Sequence, residues 1–149
     1  MELSYSHKAK GSGDNDLGDV YVEISIDRQT MWCYKNGQVV VETPVVTGDI
    51  SKAGRATPKN GCWPIFWKTT EYTMNGPRDE NGTPEYTTFV HYWMPFNGGV
   101  GIHDLASRGN NFGGDIYKTN GSHGCINTPL AAVKTIYETV SVGTPVIVY

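Results

Sequence analysis

The sequence predicts a mainly β domain, a sandwich or closed sheet with one helix packed on it. Three observations carry this reading. The chain holds 18 glycines alongside 9 tyrosines and 4 tryptophans, a mix that suits strands joined by tight turns. Several short runs alternate apolar and polar residues with the period of a strand. One segment alone, from Leu130, repeats its apolar residues at helical spacing. A length of 149 residues fits one domain with a sizeable core.

Residues 1–18 (MELSYSHKAKGSGDNDLG) are polar and Gly-rich without periodicity. They are expected to be a flexible leader or expression remnant, with the domain running over 19–149. Val20, Val22, Ile24 and Ile26 then alternate with Tyr21, Glu23 and Ser25 as a first strand. Met31 to Tyr34 is a second strand, Asn36-Gly37 a hairpin turn, and Gln38 to Val46 the returning third strand. Residues 43–61 carry Pro44, Gly48, Gly54, Pro58 and Gly61 and read as loop. Trp63 to Thr70 is expected as a strand, and 71–85 as a long polar loop. Tyr86 to Met94 is strand-like, and so is Gly98 to His103, whose glycines allow another backbone to approach closely. A second Gly/Asn-rich loop spans 110–124. The helix follows, with Thr128 as expected N-cap, Pro129 in its first position, and Leu130, Val133, Ile136 and Tyr137 on its apolar face. A strand from Pro145 to Tyr149 closes the chain.

A net charge of −3 without a basic block gives no footprint for nucleic acid. No run approaches the apolar length that spans a bilayer. Three cysteines is an odd number. Two readings of Cys33 and Cys62 stay open, buried thiols or a disulfide in an oxidising compartment.

Cys125 stands apart. It lies in Ser122-His123-Gly124-Cys125-Ile126-Asn127, between a glycine loop and the expected helix start. A cysteine just ahead of a helix N-terminus feels the positive end of the dipole, which favours the nucleophilic thiolate. Gly124 allows a turn that can aim the N–H groups of Gly124 and Cys125 at one point, as an oxyanion hole requires. A thiol nucleophile needs a base. His7 sits in the leader and His91 reads as an ordinary strand residue. His123 is too close to Cys125 along a tight turn to reach the sulfur freely. His103, arriving at the end of the Gly-rich strand, is the expected base, and His123 is expected to shape the loop or touch substrate.

The run SHGCIN, with Gly101-Ile102-His103-Asp104 upstream, resembles the signature of the L,D-transpeptidase (YkuD-type) catalytic domain. Thr47-Gly48, Thr57-Pro58 and the closing Gly143-Thr144-Pro145-Val146 support the resemblance, which extends from Val20 to Tyr149. It implies a mainly β fold with a cleft holding Cys125 as nucleophile and His103 as base. It implies that Asp104 orients His103 through its backbone carbonyl, and that Ser122, His123, Gly124 and Asn127 fill the remaining motif positions. The implied reaction is acyl transfer on bacterial peptidoglycan stem peptides. The cysteine attacks the carbonyl of the third residue of a tetrapeptide and expels the terminal D-residue. It then passes the acyl group to an amine of another stem as a 3→3 cross-link. Water as acceptor gives L,D-carboxypeptidase activity instead. Carbapenem β-lactams are implied as covalent inhibitors. The implied location is extracytoplasmic, in the bacterial cell envelope, with any export or anchor segment lying outside this chain. Some relatives carry an aromatic residue where Ser107 stands here, which points to an altered cleft wall. Arg108 is a candidate contact for a substrate carboxylate.

Three alternatives belong to other classes. A papain-like or amidotransferase-like hydrolase conflicts with the His-then-Cys order in a β-rich chain. A metal module on His103, His123, Cys125 and His91 lacks a second ligand pair of the usual spacing, so no metal and no cofactor are predicted. A catalytically inactive wall-binding module would keep the fold without turnover.

Overall fold

The computed structural model describes residues 17–149. The expected leader lies, up to residue 16, outside the described residues. Among the described residues nine strands form two sheets. In chain order they are β1 (Val20–Ser25), β2 (Thr30–Lys35), β3 (Gln38–Pro44), β4 (Gly61–Pro64), β5 (Thr69–Asn75), β6 (Thr87–Asn97), β7 (Val100–Asp104), β8 (Ile126–Thr128) and β9 (Pro145–Val148). A 3-10 turn, Ala106–Arg108, follows β7. The helices are a one-turn α1 (Tyr117–Asn120) and the main helix α2 (Leu130–Thr139).

The first sheet has the order β3-β2-β1-β9-β4 and the second β5-β6-β7-β8. The opening meander follows from local sequence. Asn36 and Gly37 both take positive φ, 53° and 77°, as a two-residue hairpin between right-twisted strands requires. Long-range pairing then completes the sheet, with β9 parallel to β1 and antiparallel to β4. One core cluster draws on both sheets and on α2, including Val22, Ile24, Met31 and Val146 from the first sheet. Phe96, Ile102 and Ile126 come from the second, and Val133 and Ile136 from the helix. This is the mainly β, two-sheet architecture with one principal helix that the sequence predicts.

Four local expectations are corrected. The run Trp63 to Thr70 is not one strand. It breaks at Ile65–Lys68 because the chain there crosses between sheets. The N–H of Ile65 donates to Thr144 O on the first-sheet side at 2.9 Å, and that of Phe66 to Pro95 O in β6 at 3.1 Å. Residues 71–75, expected as loop, belong to β5, an edge strand in which Tyr72 and Met74 turn inward between exposed Glu71, Thr73 and Asn75, too short an alternation to stand out beside the polar run that follows. Within 110–124 the chain makes the short α1. Finally, α2 begins at Leu130. Thr128 lies in β8, and Pro129, at φ −54° and ψ 140°, is the residue that caps the helix without a side-chain bond.

The sheet order also decides the cysteine question. Cys33 in β2 and Cys62 in β4 are both fully buried and are separated by β1 and β9. Three strand steps of about 4.8 Å place them about 14 Å apart, twice the Cα separation a disulfide spans. Burial pushes the Cys33 thiol up to about 12.

Candidate active site

The parallel pairing of β7 with β8 assembles the site. Its register sets His103 opposite Asn127 and Ile102 opposite Ile126, which places Cys125, the residue before β8, beside the N-terminal half of β7. A cavity of about 330 Å³ opens there. His103, Arg108, Ser122, His123, Cys125 and Asn127 all line it. Asp104 and Gly124 stand behind its wall and act on it through their backbone.

Cys125 is 9% exposed. Its Sγ lies 3.4 Å from the carbonyl oxygen of Gly99, and the N–H of Gly101 is directed at the same sulfur. Burial pushes the thiol above its ordinary value, and the Gly101 N–H only partly offsets this. The helix-dipole expectation is therefore corrected. Strand β8 intervenes between Cys125 and the start of α2 at Leu130, and the dipole acts only over the first helical turn.

His103 is buried against Trp93, with ring centroids 5.7 Å apart. Its Nδ1 lies 2.6 Å from the carbonyl oxygen of Asp104. A carbonyl can only accept, so Nδ1 carries the proton and Nε2 keeps its lone pair. Burial holds the imidazole below the ordinary histidine value, with the Asp104 carbonyl and carboxylate opposing and Arg108 reinforcing the shift. The resting pair is accordingly neutral thiol and neutral imidazole, with the acceptor nitrogen unprotonated.

The turn before Cys125 is closed by Ser122. Its Oγ accepts from Gly124 N–H at 3.0 Å and donates to Cys125 O at 2.6 Å. Gly124 sits at φ 133°, a conformation that favours glycine. Of the two N–H groups expected to converge on an oxyanion, that of Gly124 is thus engaged by Ser122. The Cys125 N–H has no acceptor among the described residues.

The polar wall opposite is tied together as well. Arg108 Nη1 donates to Asn120 O at 2.9 Å. Asn127, with its amide oxygen turned to the guanidinium, accepts from Arg108 Nε at 2.9 Å and Nη2 at 3.2 Å. Asp104 has a second attachment. Its carboxylate accepts from the N–H groups of His91 and Tyr92 at 2.9 and 3.0 Å, and lies 2.7 Å from His91 Nδ1. His91, read as an ordinary strand residue, therefore fastens the end of β7 to β6.

Sequence reading missed Tyr86, whose hydroxyl lies 2.8 Å from His123 Nδ1 across the cavity mouth. It also missed Met74, Thr88 and Leu105 in the lining, while Ser107, noted as a departure, does line the cavity. Tyr86 sits at the end of a long polar segment where nothing in the pattern sets it apart. Among the described residues no cluster of three or more His, Cys, Asp or Glu side chains could hold a metal ion, and no helix is long and apolar enough to cross a membrane.

Comparison with known proteins agrees with this geometry. Residues 19–148 match the family model for the L,D-transpeptidase catalytic domain. A structure of a Cys-to-Ser mutant of Enterococcus faecium L,D-transpeptidase is 42% identical, with TM-score 0.76, covering 89% of this chain and 50% of that one. The catalytic domain from the E. faecium L,D-transpeptidase acylated by ertapenem is 42% identical, with TM-score 0.71, covering 88% and 97%. An L,D-transpeptidase from Mycobacterium smegmatis is 28% identical, with TM-score 0.71, covering 88% and 58%. The chain thus spans about half the length of the longer E. faecium protein. Comparison with curated proteins gives no match. The extent of the family match and the identity to these structures place the chain in the L,D-transpeptidase catalytic domain family.

Proposed function

We propose that this chain is a cysteine-dependent L,D-transpeptidase, with Cys125 as nucleophile and His103 as general base. The observation that carries the reading is the shared cavity of Cys125 and His103, with the His103 tautomer set by the Asp104 carbonyl. The substrate is a peptidoglycan tetrapeptide stem, and the setting is the extracytoplasmic face of a bacterial envelope. As the sulfur attacks the third-residue carbonyl, its proton passes to His103 Nε2. The carbonyl oxygen becomes an oxyanion that accepts from Cys125 N–H. Collapse breaks the amide bond, and the terminal D-residue leaves with its amine protonated by His103. An amine of a second stem then attacks the thioester, His103 takes up its proton, and the released thiolate is reprotonated. The product is a 3→3 cross-link, or a shortened stem when water is the acceptor. His123, Ser122, Asn127 and Arg108 shape the walls that receive the stem. Support comes from the relative acylated by ertapenem and from the Cys-to-Ser mutant of another structure.

The test is incubation with a disaccharide-tetrapeptide, with products resolved by mass spectrometry. Cross-linked dimer or released D-residue is expected from the wild-type chain, and neither from Cys125→Ala with its fold intact. A carbapenem is expected to add its mass to Cys125 alone. Substantial turnover by Cys125→Ala, or an adduct mapped to another residue, contradicts the assignment.

A further inference from the structure

The catalytic turn contains a weakness that its own residues do not remove. Gly124 is needed for its φ of 133°, yet a residue without Cβ leaves the following peptide unit free to rotate. Rotation of the Gly124–Cys125 peptide would turn the Cys125 N–H away from the cavity and present a carbonyl oxygen in its place. An oxyanion would then meet a lone pair where it needs a donor.

A residue from a distant loop occupies the position that prevents this. Thr57 is buried, and its Oγ1 donates to the Gly124 carbonyl at 2.7 Å. The same oxygen accepts from Gly48 N–H at 2.9 Å. The second bond settles the direction of the first, because Gly48 N–H can only donate and the hydroxyl proton is left for the Gly124 carbonyl. All peptide bonds among the described residues are trans, so C=O and N–H point from opposite edges of each peptide plane. Holding the Gly124 carbonyl on the Thr57 side therefore directs the Cys125 N–H to the other side. Gly48 is itself bridged to Ser122, so the clamp is anchored at both ends of the turn.

We infer that Thr57 is a positioning residue for the oxyanion donor, acting by fixing the Gly124–Cys125 peptide plane. The inference rests on the acyl-transfer reading above. It gives the hydroxyl of Thr57 a kinetic role separate from the thiol and its base, because its hydrogen bonds go to Gly48 and Gly124.

The experiment compares two reactions of the same thiol in wild type, Thr57→Val and Thr57→Ser. Alkylation by iodoacetamide, scored at Cys125 by peptide mapping, displaces iodide and builds no oxyanion. Acylation by a carbapenem passes through one. Thr57→Val is expected to lower the acylation rate about 10²–10³-fold, as for a lost oxyanion donor, while alkylation holds. The ratio should not recover at high pH. Thr57→Ser keeps the donor and is expected to keep the ratio. A general loss of structure exposes the buried thiol and raises its alkylation while acylation falls, so alkylation of Thr57→Val faster than wild type overturns the inference, as does a Thr57→Ser variant whose ratio collapses while it remains folded. A wild-type chain with no carbapenem adduct at Cys125 overturns the acyl-transfer reading, and this inference with it. A wild-type adduct with an unchanged Thr57→Val ratio overturns this inference alone.

Discussion

His103 and His123 both face the cavity, but their hydrogen bonds give them different chemistry. His103 Nδ1 is committed to a carbonyl, which leaves Nε2 as a base without any protonation change. His123 Nδ1 meets the Tyr86 hydroxyl, which can donate or accept, so its tautomer is not set. Burial holds the His103 value down, and only the neutral form is a base. Its base form therefore persists as pH falls through the ordinary histidine value of 6.5. The acid limb of the acylation rate against pH is expected below that value, and a limb at or above it contradicts the assignment. His103→Ala should slow acylation about 10²–10⁴-fold. High pH should partly restore it, in a range above the ordinary thiol value of 9.0 because burial raises Cys125. His123→Ala should show no such recovery. If recovery appears in His123→Ala and not in His103→Ala, the two roles are exchanged. At this scale the sequence was highly informative, since the SHGC run and the Gly-Ile-His-Asp segment supply His103, Ser122, His123 and Cys125 to the lining of the cavity. Hidden from it was the environment of the thiol, because burial and the Gly101 contact arise from a strand distant in sequence.

Among the elements, β7 carries the most of the site, holding His103 and presenting Gly101 N–H to the sulfur, while Gly99 O in the turn just before it meets the same sulfur. It approaches β6 closely enough that a Cβ on Gly101 would lie 2.7 Å from Pro95 Cα, 2.8 Å from Met94 O and 2.8 Å from the Trp93 ring. Two of these neighbours are backbone and cannot yield without parting the strands. Gly101→Ala is expected to cost about 1–3 kcal/mol of stability, as overpacking typically does, and to slow acylation. Gly99→Ala meets nothing within 4 Å and should stay within about 0.5 kcal/mol of wild type. Urea midpoints and carbapenem acylation rates check both, and equal effects at the two positions would refute the argument. The close approach was legible in the glycine-rich run. The start of α2 was not, because Thr128-Pro129 satisfies the pattern of a helix start while tertiary pairing draws Thr128 into β8. The strand character of residues 71–75 was equally hidden, since its inward face rests on only Tyr72 and Met74 within a long polar run.

For the molecule as a whole, buried acids of high value govern its response to alkali. Cys33 keeps its proton in the fold up to about 12, whereas the unfolded thiol gives it up near 9.0. Stability from this group is complete below pH 9 and is lost as pH rises toward 12, by at most about 1.4 kcal/mol per pH unit. Tyr149, held protonated by burial and by its bond to Glu23, contributes with the same sign. The melting temperature is expected to fall above pH 9. Cys33→Ala should lower it at every pH and flatten its decline above pH 9, and a wild-type profile level to pH 11 excludes this. Global topology was the least legible level. Strand patterns reveal which segments are strands, but not that the last one, β9, enters the middle of the first sheet. That pairing depends on complementary buried surfaces brought together over most of the chain length.

The bridges Val46–Asn127 and Gly48–Ser122 tie the segment around the nucleophile to the chain that leaves the first sheet, while β8 ties it to the second. The reactive centre is the seam where two halves meet. A molecule with only the second sheet assembled holds the thiol beside its base but lacks the contacts that shape the turn of the nucleophile, and acylates slowly. A covalent acylating probe therefore counts finished molecules. During refolding or storage its titre measures the native population directly, whereas spectroscopic signals from either sheet alone would overstate it.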